Sequence, residues 1–184
     1  MKEHEDNNLV TRTLHGEHRA FEMLVRKYQK TVFNVVYQIV RNFSDTEDIT
    51  QGVFVKAYEK LRKFDHRYKF YSWLYRIAIN EALNFVQQKK ASYEIPADYE
   101  SLDKTPDHVF NELEIIEHVD RALAALDPGY RVLIVMRHFL DFSYKEISEV
   151  VRLPEKKVKS RLYMARQIMA RHMIEKGIDI DEQA

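Results

Sequence analysis

Cysteine is absent from the chain, so neither disulfides nor thiolate metal ligands are available to it, and a reducing, cytoplasmic setting is compatible. Glycine and proline are scarce, four of each in 184 residues, and the long intervals between them favour helices. A nearly all-helical protein is expected, with enough apolar content (45%) for one domain or two small ones. There is no glycine-rich phosphate loop, no H-E-x-x-H pair and no thiol nucleophile, and the acid pairs stand where helix caps explain them. No enzyme, small-molecule substrate or cofactor is therefore expected. His15 and His18 are three apart but lack a third ligand at metal spacing, so no metal site is expected either. No signal-peptide pattern occurs, and no apolar run approaches the ~18 residues of a membrane span, which argues against membrane insertion.

Net charge is zero. The average hides a pattern: residues 1–90 carry a net +5, residues 91–120 a net −8 and residues 121–184 a net +3. Two basic modules on either side of an acidic strap suit a chain that meets a polyanion at both ends.

What is abundant is concentrated between Phe64 and Asn80, where six aromatics and four basic residues, His66 included, fill seventeen positions. Rings interleaved with cations suit single-stranded nucleic acid, because each base offers a face for stacking and each phosphate a charge to neutralise. At about 100° per residue, Phe70, Leu74, Ala78, Ala82 and Phe85 share a face that can be buried, while Trp73, Arg76, Asn80, Asn84 and Gln87 form a polar stripe. A helix is expected over about 71–88. The preceding stretch from Phe64 to Phe70 is expected to be a loop in which Arg67, Tyr68 and Lys69 cage an extruded base.

On the N-terminal side of this stretch, residues 1–8 are polar and expected to fray. Two helical patterns run from about 9 to 41, broken near Gly16. Ser44 with Glu47 three residues on reads as a capping box, opening a helix to about Leu61 that leaves Asp48, Gln51, Gly52, Val55 and Glu59 outward. On the C-terminal side, residues 91–117 hold the acidic and proline-containing clusters around Pro96 and Pro106 and are expected to be a flexible linker.

A second module spans 118–176, and beyond it lies an acidic tail at 177–184. Asp127-Pro128-Gly129 ends one helix, an apolar segment runs from Tyr130 to Leu140, and Ser143 to Glu146 form a capping box. Arg152-Leu153-Pro154 then turns the chain into a long basic helix from Glu155 to about Lys176. Short helix, turn and long helix make a helix-turn-helix. On its last helix Val158, Leu162, Ala165 and Met169 share the inner arc. Lys156, Ser160, Tyr163 and Gln167, flanked by Lys159 and Arg166, form an outer arc suited to a major groove.

Two of these segments together resemble the extracytoplasmic-function sigma factors of the sigma-70 family. One is Asp48-Ile49-Thr50-Gln51-Gly52-Val53-Phe54 with, C-terminal to it, the F-x5-F-x2-W-L-x2-I-A-x-N spacing of residues 64–80. The other is Tyr144-Lys145-Glu146-Ile147 leading into Val158 to Arg166. The resemblance implies an all-α fold of two small helical domains. Residues 1–90 would form the core-polymerase-binding and minus 10 domain, and residues 118–176 the minus 35 helix-turn-helix.

It implies further that Asp48, Gln51, Phe54 and Val55 meet core RNA polymerase. Phe64, Arg67, Tyr68, Lys69, Phe70, Trp73, Arg76, Asn80 and Asn84 would engage minus 10 DNA. Lys156, Lys157, Lys159, Ser160, Arg161, Tyr163 and Arg166 would engage minus 35 DNA. Duplex and single-stranded promoter DNA, core polymerase and an anti-sigma factor are the implied partners. Relatives usually carry an acid at Gly52, a glycine at Arg152, Gly-Thr at 156–157 and arginine at Met164. The other reading of the residues is a dimeric helix-turn-helix regulator that binds duplex DNA only; it leaves the aromatic stretch unexplained.

Overall fold

The computed structural model describes residues 2–92 and 112–176, with side chains from 5–89 and 118–176. The expected linker, apart from its helical ends, and the acidic tail lie outside those residues. No strand occurs among the described residues.

Four helices form the N-terminal module: α1 (Lys2–Leu14), α2 (His18–Val40), α3 (Phe43–Lys60) and α4 (Phe70–Ser92). Helix α2 is the hub and packs against the other three. Its Ala20, Leu24, Tyr28, Val32, Val35, Val36 and Ile39 recur every three or four residues and are all buried, the single stripe a surface helix needs. Gly16, at φ 94°, turns the chain between α1 and α2, a backbone angle at which a Cβ would be strained.

Two local expectations are corrected. Residues 2–8, expected to fray, belong to α1, whose Leu9 and Val10 are buried. Its Asp6, only 2% exposed, accepts hydrogen bonds from Lys27 Nζ at 2.6 Å and from the Tyr28 hydroxyl. A buried carboxylate is tolerable once paired and hydrogen-bonded in this way, and the pair fastens α1 to α2. Burial and the bond to Asp6 together push the Tyr28 phenol well above its ordinary value. The cap of α3 is Asn42, not Ser44: its side chain accepts from the Asp45 N–H at 2.9 Å. Ser44 already lies within the first turn.

Four more helices form the C-terminal module: α5 (Glu112–Ala125), α6 (Pro128–Ile134), α7 (Tyr144–Val151) and α8 (Glu155–Glu175). Asp127 caps α6 by accepting from the Gly129 N–H, with Pro128 at the first helical position, where its missing N–H costs nothing. One π turn, Val135–Phe139, prolongs α6. Within it Val135 and Met136 are buried while Phe139, also in the apolar segment, is 52% exposed. Ser143 and Glu146 make the expected capping box on α7. Helix α8 packs on α5, α6 and α7 through Val158, Leu162 and Ala165.

The apolar interiors of the two modules meet, since α6 and its π turn pack on α2, and α6 and α7 reach α4.

Candidate nucleic-acid interface

The loop between α3 and α4 stands on buried aromatics. Phe64 is 6% and Phe70 2% exposed, and their rings meet edge to face at 5.7 Å between centroids. The geometry is the favoured one for aromatic pairs. Phe70 also touches Tyr28, at 5.8 Å. Both phenylalanines are expected from sequence among the DNA-contacting residues; neither ring is available in this structure, because burying them anchors the two ends of the loop. Trp73 is half-buried on this platform, 5.4 Å from Phe64 and 5.7 Å from Phe70.

Between the anchors the loop is held by its own charges. Asp65 accepts from the Arg67 backbone N–H at 3.0 Å and from Arg67 Nε and Nη2 at 2.9 and 2.6 Å. The Arg67 hydrogen bonds bring the Asp65 carboxyl down to about 2. The fork therefore favours the folded loop above the usual carboxylate range, and that contribution disappears only as pH falls through about 2. Tyr68 stands 62% exposed beyond it, with its N–H turned back to the Asp65 carbonyl at 3.0 Å. The Lys69 ammonium lies 5.7 Å from the Tyr71 ring centroid.

Along α4 the expected polar stripe is present: Asn80, Asn84 and Gln87 are exposed, while Leu74, Ala78 and Ala82 are buried. Arg76 departs from expectation. Its Nη2 is paired with Glu149 of α7 at 3.1 Å, and its buried Nε has no hydrogen-bond partner. Lys60, Arg62 and Lys63, at the end of α3 and in the short 3-10 turn Leu61–Lys63, are exposed next to the loop. Sequence reasoning passes over them, although the run K-x-R-K is there to be read.

On α3, Asp48, Gln51 and Val55 face solvent, Val55 at 59% exposure. Phe54, expected to meet core polymerase, is instead buried beside Val53 and Ala57; it lies on the face that α3 turns to the bundle. A Cβ added at Gly52 would meet nothing within 4 Å, so the chain's own packing does not require glycine there. A shallow groove between α2 and α3 is lined by Gln29, Lys30, Phe33, Glu47, Thr50 and Gln51.

The outer arc of α8 differs in kind. Lys156, Lys157, Lys159, Ser160, Arg161, Tyr163 and Arg166 are all exposed. Two neighbours that are not among the expected contact residues, Tyr144 and His138, lie against its cations. The Lys159 ammonium and the Arg137 guanidinium each lie 5.2 Å from the Tyr144 ring centroid, within cation–π range. Arg166 donates to His138 Nε2 at 3.3 Å from Nη2. Burial, with the charges of Arg166 and Arg137, lowers the His138 pKa and so favours the neutral ring that can accept this bond. Arg152, at the turn, holds φ 54° and caps α7 in the left-handed region, donating its N–H to Ser148.

Among the described residues no helix is long and apolar enough to cross a membrane, and no cluster of histidine and acid residues could hold a metal ion.

Comparison with known proteins agrees with this division. Residues 24–92 match sigma-70 region 2 and residues 116–169 match sigma-70 region 4. The RNA polymerase sigma-H factor of Pseudomonas aeruginosa is 31% identical over 180 residues, covering 91% of this chain and 93% of that protein. The ECF RNA polymerase sigma-E factor of Escherichia coli K12 is 32% identical over 174 residues, covering 88% and 91%. Among solved structures, CnrH in complex with the cytosolic domain of CnrY is similar at a TM-score of 0.66 and 25% identity, covering 93% of this chain and 98% of that one. The sigma factor RpoE of Bartonella quintana, solved with the anti-sigma factor NepR, has the same fold at a TM-score of 0.64 and 19% identity, covering 83% and 96%.

Proposed function

Because the chain belongs to the extracytoplasmic-function branch of the sigma-70 family, we propose that it is a sigma factor that joins core RNA polymerase, reads minus 35 and minus 10 elements and promotes strand opening. The N-terminal module, residues 1–90, binds polymerase and the minus 10 element, and the C-terminal module, residues 118–176, reads the minus 35 element. The polymerase contact falls to Asp48, Gln51 and Val55, which share the solvent face of α3. Its place of work is the cytoplasm, and an anti-sigma factor is its further partner, as NepR is for the Bartonella relative.

One observation carries the reading: a single chain presents two unlike surfaces, an exposed ring and amides on a basic loop and helix, and a helix-turn-helix whose exposed outer arc sets Ser160 and Tyr163 among Lys156, Lys157, Lys159, Arg161 and Arg166. The second suits duplex DNA, where Lys and Arg neutralise phosphates and Ser160 and Tyr163 reach groove edges. The first suits bases only after they leave the stack: Tyr68 and the exposed part of Trp73 offer ring faces, Asn80 and Asn84 offer amides, and Arg67 and Lys69 neutralise phosphates. Stacking that is available only in the melted state shifts the duplex toward that state by its differential affinity. Binding energy suffices, and no catalytic residue of its own is required. A duplex-only dimeric regulator has no use for the first surface.

Run-off transcription with the host's core polymerase on a genomic promoter library tests the proposal directly. Discrete transcripts that require the chain are expected; co-elution failure and no transcript would overturn it.

A further inference from the structure

Helix α1 stands outside the residues that match region 2, which begin at 24. It nevertheless touches both elements that border the aromatic loop: besides α2 it packs on the 3-10 turn Leu61–Lys63 and on α4. One group fastens its polar end. The Asp6 side chain is 3% exposed, against 44% for Glu17 and 28% for Glu81 in ion pairs nearer the surface. Pairs of that surface kind contribute little. Asp6 instead accepts two hydrogen bonds where it is buried, from Lys27 Nζ at 2.6 Å and from the Tyr28 hydroxyl, and bonds to an ionised acceptor in such a setting are the strong ones.

Tyr28 is not an end point. Its ring, 8% exposed, lies 5.8 Å from Phe70 and 6.3 Å, edge-on, from Tyr75. Phe70 is in turn 5.7 Å from Trp73 and 5.7 Å from Phe64, the other anchor of the loop. From Tyr75 a second line runs to Tyr71 at 6.1 Å, and the Lys69 ammonium lies 5.7 Å from the centroid of that ring. Both lines start at one phenol and end on residues assigned to the single-strand surface, Trp73 and Lys69.

Apolar packing is non-directional, whereas a hydrogen bond fixes distance and direction at once. We propose that Asp6 is a positioning residue for the surface that receives unstacked bases: it fixes the Tyr28 ring and, through it, the seats of Phe70 and Trp73 and the approach of Lys69. The proposal rests on the sigma-factor reading for its consequence. Asp6 itself meets no DNA. It keeps the half-buried Trp73 at one depth and tilt, so that the ring face is ready before a base arrives, and a preformed site loses less on binding. An apolar group in place of a buried, paired carboxylate is often neutral for stability, so the acid at this position is explained by placement rather than by fold energy.

Trp73 is the chain's only tryptophan, so the end of the relay reports on itself. Acrylamide quenching of its emission is measured in the full chain and its variants. Asp6→Ala should raise the quenching constant and shift the emission to the red. Asp6→Asn, which keeps an oxygen to accept from the Tyr28 hydroxyl, should restore most of the parent behaviour. Leu9→Ala removes a buried apolar side chain of the same helix and leaves Asp6 with its partners; it should leave Trp73 unchanged. Should Asp6→Ala fail to fold, Tyr28→Phe, which keeps the ring and deletes only the hydroxyl, gives the same readout. Parent-like quenching in the folded Asp6→Ala or Tyr28→Phe chain would overturn the proposal. So would an equal rise in Leu9→Ala, because α1 would then be a brace and no more. This comparison requires neither DNA nor polymerase, so it judges the relay even if the sigma-factor reading fails.

A second arm addresses the consequence. At low salt a fluorescein-labelled, mixed-sequence single-stranded 20-mer should bind Asp6→Ala and Tyr28→Phe about five-fold more weakly than the parent chain, a part of what one stacked base contributes. The same sequence as a duplex, met by α8, should bind all three alike. Equal losses on both probes would mean general loosening, and no loss on the single strand would mean that the relay ends short of the surface; either result would overturn the positioning role.

Discussion

The two candidate DNA surfaces are built on opposite plans. On α8 every expected contact residue is exposed, and the helix is buried along its inner arc of Val158, Leu162 and Ala165. In the N-terminal module the expected set is divided: Phe64 and Phe70 are buried, Trp73 is half-buried and Arg76 is paired with the other module, while Tyr68, Asn80 and Asn84 face solvent. A reader of duplex DNA needs only a stiff rod bearing cations, since the groove and the phosphates already have a fixed shape. A surface for extruded bases must supply its own shape, and here the shape comes from aromatics committed to packing beneath the loop.

The division makes expectations that can fail. The largest effect should come from a ring beneath the loop. Phe70→Ala is expected to cost the N-terminal module about 3–5 kcal/mol in chemical denaturation, as truncation of a buried phenylalanine does; a loss under about 1 kcal/mol would mean that the ring is not the anchor. Tyr68→Ala, two positions away in the loop, should leave stability within about 0.5 kcal/mol. It should cost open-complex formation about 1–3 kcal/mol, the worth of one stacked base. Permanganate footprinting against closed-complex gel shifts separates the two stages, and equal losses at both would contradict the division. Trp73→Ala falls between them, losing stability and opening together.

On α8, Lys159→Ala should weaken upstream duplex binding and lower the salt slope of log K by roughly 0.9, the signature of one lost phosphate contact. An unchanged slope would move Lys159 from phosphate contact to another role. Smallest is the turn before α8: Arg152→Gly removes a Cβ from the left-handed region but loosens the unfolded chain, for a net gain of about 0.5–1 kcal/mol in thermal unfolding.

Much of this is readable in the residues alone. The inner and outer arcs of α8, the Ser143 to Glu146 capping box and the polar stripe of Asn80 and Asn84 all lie where spacing puts them. Residues 1–8 read as frayed because they are polar, and Phe64, Phe70 and Phe54 stand among the expected contacts because they fall in the segments that resemble the family; that residues 2–8 are helical and these rings buried is decided by neighbours distant in the chain. Phe70 packs on Tyr28, and Asp6 is made tolerable by Lys27 and Tyr28. The absence of an acid at Gly52 is visible in the sequence, but that no atom of the described residues lies within 4 Å of where a Cβ would stand is not.

Sequence by itself determined the helices, the capping box of α7 and most of the sides they turn to solvent, because hydrogen bonds within a helix and side chains three and four apart are local matters. It determined equally that one chain joins an aromatic, basic loop to a helix-turn-helix. Only the tertiary structure decided which rings serve as foundation and which stay available, and that Arg41, Arg76 and Arg131 are committed across the two modules. A guanidinium's partner is chosen by what packing brings within about 3 Å, and Arg76 and Glu149 are brought together by the fold across a long stretch of intervening chain.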